Sequence, residues 1–205
     1  YNNSDKSVNF NLMSAETDRL KTSGYKTNKT GFSLGTSFEY LDKFNFGIGT
    51  SNYYEKIETD STASARQKTQ EGNYWDSFIN LNFDYDNRNQ KFQPTDGFRS
   101  QYFIDMPILS ETATLTNTYM YKYFTELYEN NVSSFSIFLS SALSLKDEDI
   151  KLSERIILPS SRLRGFERGR VGPKDGDDFI GGNYAATINF SSTIPQILQN
   201  SENID

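Results

Sequence analysis

The sequence predicts an all-β protein, an antiparallel sheet of about eight strands patterned like the wall of a transmembrane β-barrel. Three observations point there. Apolar side chains recur at every second position over long stretches. Aromatic residues reach 15% while hydrophobic residues reach only 35%, and the mean hydropathy is −0.68. Short turns alternate with longer polar connections. A barrel wall gives all three, because only its lipid-facing parity is apolar and its lumen parity is polar. An antiparallel soluble sandwich fits the same pattern and stays open on these grounds alone.

The elements follow from alternation, taken in chain order. Val8, Phe10 and Leu12 mark a first strand over roughly residues 5–16. Phe32, Leu34, Phe38 and Tyr40 oppose Gly31, Ser33, Gly35 and Ser37 in a second, 27–40. Phe44, Phe46 and Ile48 open a third, 43–56. Trp75, Ile79, Leu81, Phe83 and Tyr85 oppose Asp76, Asn80, Asn82 and Asp84 in a fourth, 73–91. Phe98, Tyr102, Ile104, Met106 and Ile108 define a fifth, 97–108. Residues 112–127 are rich in Thr and Tyr and predict a sixth strand of ambiguous parity. Phe135, Ile137, Leu139 and Leu143 oppose Ser134, Ser136 and Ser140 in a seventh, 131–146. Tyr184, Ala186, Ile188 and Phe190 oppose Asn183, Thr187 and Asn189 in an eighth, 179–194. No stretch carries a 3.6-residue period of useful length. The predicted lipid-facing set is Phe32, Leu34, Phe38, Ile79, Leu81, Phe83, Ile104, Phe135, Ile137, Leu139, Ile188 and Phe190.

The connections sort by length. Leu41–Asp42, the turn Pro94-Thr95-Asp96-Gly97 and Tyr128–Asn130 are short. Residues 17–26, 57–72 and 147–178 are long and polar, with a shorter link at 109–111. Short turns at one end and long loops at the other describe an outer-membrane barrel. An even strand number puts both termini at the short-turn end. The chain does not begin with Met, so the expectation is a start inside a longer protein.

Composition removes several chemistries. The 205 residues contain no Cys and no His. A disulfide scaffold, an ordinary zinc site, a thiolate nucleophile and a histidine-based triad are all excluded. The formal charge of −6 argues against a nucleic-acid surface, which needs clustered cations. Gly47-Ile-Gly49 lies in a strand and lacks the third glycine of a dinucleotide loop; Gly169–Lys174 lacks the Gly-Lys-Ser/Thr of a phosphate loop. Asp175, Asp177 and Asp178 lack EF-hand spacing and read as a solvated loop rather than a calcium site. Asp84 and Asp86 share one strand face, which gives no opposed acid and base for glycoside cleavage. No catalytic residue, metal or cofactor is assigned.

The longest connection carries an ordered series of motifs. Leu163-Arg164-Gly165-Phe166 is followed by Gly172-Pro173, and then by Gly181-Gly182-Asn183 opening an alternating strand. Earlier, Asp84-Tyr85-Asp86-Asn87-Arg88 precedes Pro94-Thr95-Asp96-Gly97, which opens residues 98–108. Two such motifs in this order resemble the BamA family of outer-membrane assembly factors, the first matching its sixth extracellular loop. The resemblance covers most of the chain, though the first 70 residues match in pattern more than in motif.

The resemblance implies part of a sixteen-stranded barrel, strands five to twelve, with the periplasmic POTRA repeats and the terminal strands outside residues 1–205. It implies insertion of other β-barrel proteins, with outer-membrane lipid, unfolded outer-membrane clients and accessory assembly lipoproteins as partners. It implies that Arg164 reaches the inner wall toward a carboxylate beyond Asp205, that Gly165 allows close backbone approach, and that Phe166 packs on the wall. Asp84 and Asp105 are additional candidate acceptors for that guanidinium. Ser191 stands near a position that is acidic in many relatives. Secretion and translocation pores share the Arg-Gly-Phe loop and form the alternative reading. A stand-alone eight-stranded structural barrel is a third.

Overall fold

The computed structural model describes residues 6–128 and 131–193. Its body is one antiparallel sheet of eight long strands. In chain order the elements are β1 (Lys6–Arg19), the one-turn helix α1 (Leu20–Ser23), β2 (Tyr25–Leu41), β3 (Phe44–Thr59), the one-turn helix α2 (Ala65–Lys68), β4 (Gly72–Asp86), β5 (Gly97–Ser110), β6 (Thr114–Tyr128) and β7 (Asn131–Ser144). A 3₁₀ turn (Leu152–Glu154), the two-residue strands β8 (Lys174–Asp175) and β9 (Asp178–Phe179), and β10 (Tyr184–Ser192) complete it. The sheet order is β1-β2-β3-β4-β5-β6-β7-β10, each strand pairing with its predecessor, and β8 and β9 form a separate hairpin. Among the described residues the sheet is not closed, and β1 and β10 are its edges.

Strand alternation fixes the two faces, because directly paired residues share a face. Phe38 pairs with Phe46, Phe46 with Phe83, and Phe83 with Tyr102. Their rings form a row with centroids 5.8, 5.3 and 6.3 Å apart. Tyr85, Phe98 and Tyr121 form a second row one step nearer the turns, at 5.6 Å per contact. The opposite face carries Gly35, Gly49, Ser33, Ser51, Asn80 and Asn82. The expected lipid-facing residues, Phe32 through Phe190, all lie on the aromatic face by register. Strands β1 to β7 run 14 to 17 residues, more than the ~9–11 that a tilted strand needs to cross a bilayer.

Two predicted strands miss an observed end by five residues, and the others by three or fewer among the described residues. The fourth stops at Asp86 rather than 91, because the chain turns back on itself over residues 87–96. There Asn87 N donates to Phe98 O (2.8 Å) and Asn89 N to Asp96 O (3.0 Å). The Asn89 side-chain oxygen accepts from Thr95 N and Asp96 N at 3.2 and 3.3 Å. This turn, with no strand of its own, is longer than the 20–24 and 111–113 links at the other end. Loop length therefore sorts the two ends less cleanly than the sequence suggests.

The eighth strand begins at Tyr184 rather than 179, because Phe179 pairs with Lys174 in the hairpin and Gly181, at φ +79°, breaks the extended run. The expected starts and ends at residue 5, at 129–130 and at 194 lie outside the described residues. The sixth strand's parity also resolves. Thr116, Thr118, Met120 and Lys122 share the polar face, while Tyr119, Tyr121 and Tyr123 share the aromatic one. Apolar side chains on both faces had masked the alternation.

Candidate functional site

The 145–183 connection folds over the polar face, which is therefore the inner one. Near its start it carries a charge as deeply buried as any in the described structure. Lys151 is 1% exposed. Its Nζ donates to Asp76 Oδ2, and lies 3.1 Å from Glu55 Oε2 and 3.2 Å from Glu154 Oε1. The ammonium also sits 5.0 Å from the Tyr74 ring centroid. Alternation explains why the wall supplies these groups. Glu55 on β3 pairs directly with Tyr74 on β4, and Asp76 follows two residues later on the same face.

Neutral donors complete the socket. Ser153 Oγ donates to Glu55 Oε2 at 2.8 Å, and Ser110 Oγ to Asp76 Oδ1 at 2.5 Å. Glu154 keeps one buried oxygen without a hydrogen-bond partner. Burial pushes its carboxyl above the usual range, and Lys151 opposes that push. Burial would drive the Lys151 ammonium down, yet Glu154, Glu55 and Asp76 together hold it above its ordinary value.

Around this socket the connection seats on the other loops of the same end. Tyr25 OH donates to Leu152 O at 3.1 Å, and Tyr25, Leu152 and Ile180 form a small buried cluster. Leu152 N donates to Gln70 Oε1 at 2.8 Å. Helix α2 is short but has a reciprocal capping box, with Ser64 Oγ accepting from Gln67 N and Gln67 Oε1 accepting from Ser64 N. Ser64 Oγ in turn donates to Asp175 Oδ2 at 2.7 Å. Arg66 makes a two-pronged contact with Asp149, which holds that exposed carboxyl below its usual range. Asp175 and Asp178 pair across the β8–β9 hairpin, and no acidic cluster suited to a metal occurs among the described residues.

The motif residues fall in separate places. Gly181 and Gly182 are structural: Ile156 and Gly182 exchange backbone hydrogen bonds at 2.8 and 2.9 Å, and Asn183 O accepts from Ala142 N at 2.8 Å. A Cβ on Gly181 would meet Ile156 O at 2.9 Å. Pro173 O accepts from Ile180 N at 3.1 Å, closing the base of the hairpin, and Gly172 precedes it in open space at φ +124°. Arg164 is exposed and forms no ion pair among the described residues. Gly165 lies in the left-handed region at φ +86° with open space around it, and Phe166 is 60% exposed.

The guanidinium that does reach the described wall is that of Arg162. Its Nη2 lies 3.0 Å from Met120 Sδ, and its Cζ is 5.0 Å from the Phe138 ring centroid. Asp84 is already engaged by Arg99, at 2.9 and 2.6 Å, and Asp105 accepts from Asn80 Nδ2 at 2.6 Å. Arg88 similarly clasps Asp86, at 2.7 and 2.6 Å. The Asp-Tyr-Asp-Asn-Arg motif thus builds an ion-paired rim on the inner face, beside the 87–96 turn.

Sequence reasoning did not single out Glu55, Asp76, Lys151, Glu154 or Arg162. Glu55 and Asp76 had a readable signal, as carboxylates on the inner parity near a strand end. Lys151 and Glu154 had none, because they lie in an irregular acidic stretch whose path alternation does not describe.

An antiparallel sheet with an apolar outer face, a polar inner face and a long connection folded over that inner face defines the wall of a transmembrane β-barrel. The sequence matches the Omp85 superfamily domain over residues 1–204, and the chain belongs to that superfamily. A search of curated protein sequences gives no significant match. Among solved structures the chain resembles BamA from Haemophilus ducreyi lacking POTRA domains 1–3, with a TM-score of 0.77 and 18% identity. That match covers 93% of this chain and 42% of the other, so the chain spans less than half of the structure it resembles.

Proposed function

We propose that residues 1–205 are wall and lumen-loop segments of an outer-membrane insertase that folds and inserts other β-barrel proteins. Membership of the Omp85 superfamily is the observation that carries this reading. In this reading the aromatic face meets outer-membrane lipid, the inner face and its connection line the lumen, and unfolded β-barrel clients and accessory lipoproteins are partners of the full-length protein. The expected role is conformational rather than enzymatic, in a single barrel domain.

Depletion of the full-length protein in its native bacterium tests the proposal. The expected result is a class-wide fall in folded outer-membrane β-barrel proteins, read as loss of their heat-modifiable forms. Unchanged levels of those proteins, with loss of one secreted partner, would instead identify a secretion pore. For the loop tip, Arg164→Ala in the full-length protein is expected to slow client assembly by about tenfold or more, on the scale of one lost charge-assisted contact of about 1.5–3 kcal/mol. Parental assembly rates in that variant would remove Arg164 from the mechanism.

A further inference from the structure

The socket around Lys151 is unlike the connection's other attachments. The hydrogen bonds at Tyr25, Gln70 and Gly182 are neutral, Asp175 accepts from a neutral serine, the Arg66–Asp149 pair is half exposed, and water can replace each partner when the connection lifts. The Lys151 contact is different. Glu55 and Asp76 belong to the wall, on adjacent strands, at 1% exposure each. With the connection seated but no cation between them, two carboxylates would sit together away from water, an arrangement that low-dielectric surroundings strongly oppose. The wall at the loop end is therefore electrostatically complete only when the connection has delivered its lysine.

The connection's next wall contact is of the opposite kind. Arg162 rests on Met120 Sδ and the Phe138 ring, with no carboxylate in reach among its described contacts. A thioether and an aromatic face tolerate sliding far better than a multi-carboxylate socket does. The turn leading to it is local, with Arg162 N donating to Pro159 O and Leu163 N to Ser160 O at 2.9 and 3.3 Å. The connection thus has a fixed point at Lys151 and an adjustable one at Arg162, and Arg164–Phe166 lies just past the second.

We infer that Lys151 is the positioning residue of the lumen connection: its ammonium, seated between Glu55, Asp76 and Glu154, fixes where the Arg164–Phe166 tip sits over the inner wall. Lifting the connection means withdrawing that charge, so seated and lifted forms are discrete states rather than a continuum. The link to client assembly rests on the function proposed above, whereas the seating itself does not.

The experiment uses the full-length protein in outer membranes, with any cysteine outside residues 1–205 replaced by serine. Ser23 is 0% exposed and lies beneath the β8–β9 hairpin: the Gly24 position beside it would put a Cβ 2.2 Å from Asp178 Oδ2. Ser23→Cys is near-isosteric, and its labelling by a hydrophilic maleimide reports lifting of the connection. Lys151→Ala should raise the labelling rate by about tenfold or more while the barrel keeps its heat-modifiable mobility. The swapped pair Lys151→Asp with Asp76→Lys should return labelling to within about threefold of the parent, because the socket keeps its total charge.

Parental labelling in Lys151→Ala overturns the inference, and so does a swapped pair labelled as fast as the single variant. If Lys151→Ala yields no folded barrel, the swap decides: a folded, slowly labelled swap supports the inference, and an equally unfolded one overturns it. Client assembly is measured in parallel, with slowing in Lys151→Ala and recovery in the swap expected. Fast labelling with unchanged client assembly overturns Lys151 as a positioning residue for assembly. Failure of the depletion experiment would remove the assembly role itself while leaving the labelling result intact.

Discussion

Gly97→Val should destabilise the barrel by about 3 kcal/mol, or block its folding outright. Gly97 has φ +92°, a region that a β-branched residue avoids. Its surroundings add a second penalty. A Cβ there would sit 2.2 Å from Asn87 O and 2.9 Å from Arg88 Cα. Both neighbours are backbone, and both belong to the turn that Gly97 closes. Asn87 N donates to Phe98 O across this narrowest point, so moving the carbonyl away breaks the ladder between β4 and β5. Gly176→Asn is the matched control. Gly176 has φ +62° with nothing within 4 Å of a Cβ, and asparagine tolerates the left-handed region; its cost should stay below about 1 kcal/mol. Urea titration of the full-length protein, scored by heat-modifiable mobility, measures both. Equal midpoints for the two variants would show that the 87–96 turn relaxes freely and that the crowding at Gly97 has no thermodynamic weight.

The wall was legible in the sequence because a two-residue period is a local property. Phe32, Leu34 and Phe38 announce their face without knowledge of any partner strand, and the same holds for Ile79, Leu81 and Phe83. Legibility failed wherever one position answered to two demands. Met120 and Phe124 are apolar but point inward by register, with Arg162 resting on Met120, and they blurred the parity of β6. Asn87 and Asn89 extend the ladder by two hydrogen bonds without extending the strand, so the fourth strand reads too long. Phe179 looks like the start of a strand, but it ends the two-residue β9, and its partner is Lys174, five residues earlier.

The site divides along the same line. Arg164-Gly165-Phe166 and Gly181-Gly182 could be recognised as motifs. The Lys151 socket could not, because its partners Asp76 and Glu55 lie 75 and about 100 residues away in sequence, and nothing local to residue 151 distinguishes it from Lys146 or Lys174. The two carboxylates were the readable half. Over the middle of β3 and β4 the polar parity is mostly Gly, Ser and Asn, which makes a Glu and an Asp near one strand end stand out, and a buried pair of that kind implies a cation from elsewhere.

Leu34→Lys should cost about 2–4 kcal/mol, whereas Ser33→Lys, one residue away, should cost about 1 kcal/mol or less. The two positions differ in face, not in strand or depth. On the outer face, Phe46 lies in the ring row near the turns, and Tyr54, paired with Trp75, lies toward the loop end. Eight residues separate Phe46 from Tyr54, about 27 Å along a strand, which a barrel tilt of ~35–45° reduces to about 20 Å, within the ~25 Å height of an outer-membrane apolar band. Thr50 is midway between them, and Leu34 is its direct partner on β2. A lysine at Leu34 would therefore enter at the band's midplane, too far from either interface for its ammonium to reach water cheaply. A lysine at Ser33 would project beside Ser51 and Asn11, on the hydrated inner face. Folding free energies of the full-length variants into phospholipid vesicles provide the comparison. Near-equal costs would mean that water bathes both faces, and the membrane reading of the aromatic rows would fall with it. A large gap in the expected direction would place the bilayer against the side of the sheet opposite the lumen connection, on energetic grounds independent of any family resemblance.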